Sequence, residues 1–158
     1  MSVKHYPAWQ TVKIGCFGSA GVACEELRRA EIKIEPRAKD ILGRINFQDT
    51  ERPLDLARVS VNELRLKDLS TTKSIYVAAK GAGLSLCPPE VGPSLLLQYY
   101  KNMALNEWMT IAMETIKDSY NCYIVFTLEH TYEGRKLGIQ YGDPTYRWSS
   151  RCRFVFVK

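Results

Sequence analysis

Histidine is scarce in this chain, with two residues in 158, and the five cysteines Cys16, Cys24, Cys87, Cys122 and Cys152 include no C-x-x-C pair. Structural zinc sites draw on closely spaced Cys and His ligands, so neither a zinc centre nor any other metal or cofactor is expected. An odd cysteine count also argues against a secreted disulfide framework and for reduced thiols in the cytoplasm. Long apolar runs are missing too. The longest uncharged stretch, Ile14 to Cys24, has eleven residues, well short of the roughly 20 that span a bilayer. No membrane association is expected. Met1 to Gln10 has no apolar centre behind Lys4, so it reads as a loose arm and not as a signal peptide. No repeat or low-complexity segment is visible.

What remains is an ordinary globular composition, 46% apolar and 25% charged, which excludes a disordered tail, a collagen-like rod and a coiled coil. The length suits a single domain, residues 1–158. The net charge of +5 is spread along the chain. That permits nucleic-acid binding without arguing for it.

The apolar spacing predicts an α+β fold. Thr11–Phe17 reads as a strand, broken by Gly18 to Gly21. Ala23, Leu27, Ala30 and Ile34 then fall on one helical face. Pro36 opens a second helix with Ala38, Ile41, Leu42 and Ile45 inward. Leu54–Val61 alternates as a strand. A helix capped by Ser70 or Thr71 runs to about Gly81, with Ile75, Tyr76 and Ala79 inward. After the rigid Cys87–Pro93 segment, Ser94–Tyr100, Glu107–Ile116, Cys122–His130, Lys136–Tyr141 and Arg153–Val157 read as strands of an antiparallel meander. The predicted architecture is a helix-rich N-terminal half packed on a mainly antiparallel sheet formed largely by the C-terminal half.

Several of these segments resemble one protein group. Cys87-Pro88-Pro89-Glu90-Val91-Gly92-Pro93, Leu97-Gln98-Tyr99 and Glu107-Trp108-Met109-Thr110-Ile111-Ala112-Met113-Glu114 are similar to a group of uncharacterised small soluble bacterial proteins with no established function. Asp40-Ile41-Leu42-Gly43 and Val59-Ser60-Val61-Asn62-Glu63-Leu64 share the likeness, which covers roughly residues 9–157. The Asp118 turn and the segment near Trp148 are less acidic than that group's. The resemblance implies a small soluble bacterial protein and carries no chemistry.

The candidate site is Tyr141-Gly142-Asp143-Pro144-Thr145-Tyr146-Arg147-Trp148, followed by Arg151 and Arg153. It mixes aromatic faces with cations. Tyr, Trp and Arg dominate the strong contacts of protein interfaces, and the same residue types stack bases and hold phosphates. The expectation is a non-catalytic protein that binds an unidentified protein or small ligand through Tyr141, Tyr146, Arg147, Trp148, Arg151, Arg153 and the sheet face. Two other readings stand beside it. One is a nucleic-acid binder using the same arginines with Tyr146 and Trp148. The other is a small metal-dependent hydrolase or nuclease-like enzyme using Glu107, Glu114 and His130, with Glu90, Asp118 and Asp143 as further carboxylates.

Three weaker signals complete the reading. Gly15 to Gly21 sits between a strand and a helix, where backbone N–H groups can meet a phosphate, but its G-x-x-G-x-x-G spacing fits neither nucleotide-binding pattern. Ala20 to Ile45 holds two helices meeting near Ile34-Glu35, as in a helix-turn-helix with Arg37, Lys39 and Arg44 on the second. Glu129 cannot orient its strand neighbour His130, since adjacent strand residues point to opposite faces. His5 is the other histidine. Unpaired strand edges leave a homodimer open.

Overall fold

The predicted last strand, Arg153–Val157, forms as expected, but it joins the middle of the sheet. A computed structural model describes residues 6–158. His5 and the first half of the predicted arm, residues 1–5, fall outside the described residues. The elements follow as β1 (Gln10–Ile14), α1 (Ala20–Arg29), β2 (Lys33–Ile34), α2 (Pro36–Leu42), β3 (Arg52–Ser60), β4 (Ser70–Thr71), α3 (Thr72–Gly81) and α4 (Val91–Tyr99). A short 3₁₀ turn, Tyr100–Asn102, leads to β5 (Trp108–Ile111), β6 (Ile116–Lys117), β7 (Tyr123–Thr131), β8 (Gly134–Tyr141), β9 (Arg147–Trp148) and β10 (Arg153–Val157).

The main sheet runs β1-β3-β10-β5-β7-β8-β2, with β6 added to β7. The class is α+β, and the sheet is mixed. β10 lies antiparallel to β3 but parallel to β5, and β2 lies parallel to β8. This corrects the expected meander: of the predicted hairpins, β7–β8 is the long one, pairing from Ile124↔Tyr141 to Thr131↔Gly134. The expected division, a helix-rich N-terminal half on a sheet formed largely by the C-terminal half, holds only in part: α1, α2 and α3 lie in the first half. That half also supplies β1, β2 and β3, and the second supplies α4. β4 and β9 form a separate two-stranded ribbon.

The two sheet faces carry separate cores. On one, Val12, Ile14, Leu56, Met109, Phe126, Leu137 and Val155 pack against Leu27 of α1, Ile41 and Leu42 of α2, and Leu95, Leu96 and Tyr99 of α4. On the other, Ala57, Val59, Phe154 and Phe156 pack against Ile75 and Ala79 of α3 and against Trp148. Each large side chain buried this completely stabilises the fold by roughly 1.5–3 kcal/mol.

Segment 94–100, predicted as a strand, folds as α4 because it is buried almost all round. A short apolar run carries no period that tells a buried helix from a buried strand. Pro93 sits in the helix's first turn, where its missing N–H costs nothing. Gly92 allows the close approach, since a Cβ there would lie 2.7 Å from Phe126 Cδ2.

Elsewhere the predicted bounds shift for local reasons. The first strand stops at Ile14, where Gly15 turns the chain at φ +82°. α1 starts on the Ser19 cap and ends at Arg29, with Glu31 at φ 60°. Ile34 therefore belongs to β2, and a strand paired to β8 separates α1 from α2. That is not a helix-turn-helix. Thr71 caps α3 by accepting the Ser74 N–H at 3.2 Å. The predicted strand 107–116 divides into β5 and β6.

Tyr6 to Gln10, predicted as part of a loose arm, is tied down. The buried Tyr6 donates its O–H to Glu63 O at 2.8 Å, and Trp9 N–H bonds Leu56 O at 2.6 Å. The outer edge of β1 is also covered. Gln98 of α4 accepts from Lys13 N at 2.9 Å and donates to Lys13 O at 2.8 Å, which takes both polar groups an added strand would use there. Among the described residues no helix is long and apolar enough to cross a membrane.

Candidate functional site

On the α3 side, β5 and β7 carry the polar residues Thr110, Thr127 and Glu129 in place of an apolar core. There the chain forms a cleft of about 680 Å³ between Ala104–Trp108 and Tyr146–Arg153, with Thr110 and Gln140 also lining it. Five of the six predicted site residues meet in it: Tyr146, Arg147, Trp148, Arg151 and Arg153. The sixth, Tyr141, does not line the cleft. Its ring contacts Tyr146 at 6.0 Å and the Arg37 guanidinium at 5.5 Å.

The basic wall is held by the short β4–β9 ribbon, which pairs Ser70 with Trp148 and Thr71 with Arg147. Arg147 reaches back to donate to Leu69 O at 3.0 Å, and Asp68 accepts the Ser150 N–H at 2.8 Å. Trp148 is only 4% exposed and packs 4.8 Å from Phe154 and 5.1 Å from Tyr146, ring to ring. Its Nε1–H donates to Thr72 Oγ1 at 2.8 Å. Trp148 is thus committed to the second core, where its ring caps Phe154 and is not free to stack on a ligand.

Sequence reasoning missed the opposite wall. Trp108 is 52% exposed and Leu105 59% exposed, and both line the cleft. Trp108 was legible only as the outward half of an alternating strand. Its indole, not that of Trp148, is the ring exposed in the cleft.

The cleft is electropositive. Arg147, Arg151 and Arg153 are exposed, and among the described residues none forms an ion pair within 4.0 Å. Two of the nearby acids lie beside cations, whereas Asp68, which accepts the Ser150 N–H, has none within 4.0 Å among the described residues. Glu107 Oε1 lies 3.6 Å from Arg58 Nη1. Glu129, opposite Trp108 in register, accepts the Thr127 hydroxyl at 2.7 Å and lies 3.6 Å from Lys136 Nζ. Cys152 lines the cleft as well, and burial pushes its thiol above the ordinary range, so it is protonated at neutral pH.

The other candidates do not converge. His130 N–H bonds Glu107 O at 3.0 Å, and its Nδ1 lies 2.9 Å from Met103 O. Glu114 lies in the connection between β5 and β6. It precedes Ile116, which faces Ile124, and six residues of β7 separate that position from His130, about 20 Å of extended chain. The structure therefore does not bring Glu107, Glu114 and His130 to one substrate. Glu90 is buried and accepts the N–H groups of Gly15 and Gln48, each at 3.1 Å. The Gly15 N–H that a phosphate would need is taken, and a Cβ at Gly15 would lie 2.1 Å from Thr50 O. The turn is a tightly packed joint.

Asp118 is likewise structural. Arg37 of α2 donates to Asp118 Oδ2 through Nε at 2.8 Å and approaches it through Nη2 at 2.7 Å. Burial alone would raise the Asp118 carboxyl, but N–H groups from Cys122 and Tyr120 and the Arg37 guanidinium outweigh it and hold it below the ordinary carboxylate value. Tyr120 and Tyr141 flank Arg37 at 5.5 Å each. Among the described residues no group of three or more His, Cys, Asp or Glu is placed to hold a metal.

No family model, curated protein or solved structure matches the chain.

Proposed function

We propose that this chain is a binding protein whose cleft between Ala104–Trp108 and Tyr146–Arg153 takes an anionic ligand with an apolar part. The ligand is a small molecule or an acidic segment of a protein partner. One observation carries the reading: three arginines without acidic partners face a concave space that also exposes Trp108 and Leu105. Arginine offers planar, paired donors matched to carboxylate and phosphate, and its charge persists at every physiological pH. An apolar wall beside such donors is the usual make-up of a ligand site. The five cysteines are all unpaired, which supports a reducing compartment, the cytoplasm. The likeness to small bacterial proteins supports a bacterial origin.

Isothermal titration of the full chain with inorganic polyphosphate and with an oligoglutamate peptide tests the reading. At least one should bind, and the triple variant Arg147→Ala/Arg151→Ala/Arg153→Ala should lose that binding while keeping its melting temperature. Equal binding by the triple variant would move the site elsewhere.

A further inference from the structure

We infer that the anion taken by this cleft is single-stranded nucleic acid, with one unpaired base lying on Trp108 and phosphates on Arg147, Arg151 and Arg153. The inference rests on the anion-binding reading above and adds the chemical class of the ligand.

Three observations carry it beyond a generic anion. First, Trp108 is a large aromatic left 52% exposed inside the cleft. Trp108 and Thr110 share one face of β5, so the indole stands over the polar part of the sheet and outside both cores. A carboxylate makes no contact of its own with such a ring, whereas every nucleobase stacks on one. Secondly, Asn106, Thr110 and Gln140 line the same space. Their amide and hydroxyl groups suit the donor and acceptor edges of an unstacked base. Thirdly, the cations are all arginines, which pair with phosphate through two parallel N–H donors, and none of the three is taken by a carboxylate, since Glu107 and Glu129 lie beside Arg58 and Lys136 and Asp68 accepts the Ser150 N–H.

A duplex does not fit this site. Its bases are paired and stacked on one another, and only a splayed base reaches a ring inside a cleft. The space of about 680 Å³ is of the size that encloses one small ligand, so the contact covers a nucleotide or two and tolerates sequence. Three phosphate contacts on a single strand give a slope of about −2 in log affinity against log salt. Raising salt from about 50 to about 200 mM therefore weakens binding roughly 20-fold.

The test is fluorescence anisotropy of the full chain with labelled oligo(dT) and oligo(rU), a labelled hairpin duplex, and unlabelled polyphosphate and oligoglutamate as competitors of matched charge. Trp108→Ala should weaken single-strand binding roughly 5- to 150-fold, the range set by one lost stack. Trp108→Phe should keep most of it, and melting curves of both should match the parent. The duplex should bind more weakly than either single strand. The inference is overturned if Trp108→Ala binds single strands as the parent does, or if polyphosphate of equal charge binds as tightly. In that case the anion reading still stands. Preference for oligoglutamate would overturn it in favour of an acidic protein partner. If no anion binds at low salt, the inference and the reading beneath it fail together.

Discussion

Trp148 and Thr72 are joined by a buried hydrogen bond, Nε1–H to Oγ1 at 2.8 Å, that ties the basic wall of the cleft to the first residue of α3. Thr72→Val keeps the volume and leaves the indole donor unpaired, at a cost of about 1–3 kcal/mol. Trp148→Ala empties a core position at about 3–5 kcal/mol, or about 6–20 °C in Tm for a chain of this size. Thermal unfolding checks both. A Trp148→Ala variant with an unchanged Tm would show that the ring is not a core residue. For the same reason Trp148 is a poor probe of binding and Trp108 a good one.

The Arg37–Asp118 pair predicts an acid-sensitive joint. The folded-state pKa of Asp118 is depressed, so its contribution is fully present above the unfolded carboxyl value of about 3.9 and is lost as pH falls through the lower folded value. Asp118→Asn lacks that proton uptake. Its Tm should lie below the parent's at pH 7, and the gap should narrow as pH drops below about 4. Parallel Tm-against-pH curves would refute the coupling.

At the alkaline end Tyr76 plays the opposite part. Burial pushes its phenol up to about 12, while its O–H donates to Met113 O at 3.1 Å and accepts Met113 N–H at 3.2 Å. A raised folded-state value means that the stabilisation is complete below about pH 10, the unfolded phenol's value, and fades as pH climbs toward 12. Urea midpoints of the parent should fall over that interval more steeply than those of Tyr76→Phe, which at pH 7 should already be weaker by about 1–3 kcal/mol through the orphaned Met113 N–H.

Glu90→Gln replaces a carboxylate that serves two backbone donors, Gly15 N–H and Gln48 N–H. The amide keeps one acceptor and turns an NH₂ toward the other donor. A loss of about 1–3 kcal/mol is expected, read as a lower denaturant midpoint at unchanged m-value. Parental stability in this variant would mean that the turn does not depend on the carboxylate.

Local signals were legible in the sequence where the chain settles its structure locally. The Thr71 cap, the Ala23 and Leu27 face of α1, the inward face of α3 and the β7–β8 hairpin all follow from spacing and turn chemistry. The residues that line the basic wall were legible as a composition of Tyr, Arg and Trp. Sheet order was not, since nothing in Arg153–Val157 says whether it lies at an edge or beside both β3 and β5. Nor was α4, whose Leu95-Leu96-Leu97 run lacks a readable period. Trp108 escaped for a related reason. An aromatic on an alternating strand reads as packing, and only the tertiary fold shows that β5 turns it toward the cleft arginines and not into either core.

The central place of β10 has a consequence for the order of synthesis. About 90 residues separate β3 from the strand that pairs beside it, and at about 5–20 residues per second that is roughly 5–18 s of translation. Throughout that interval β3 is complete yet unpaired on its inner side, and β5 waits likewise over its second half. An unpaired strand edge on a nascent chain is a template for the wrong partner. The sheet therefore cannot be assembled progressively from the N-terminus; it closes in one late event, when β10 slides between two strands made long before it.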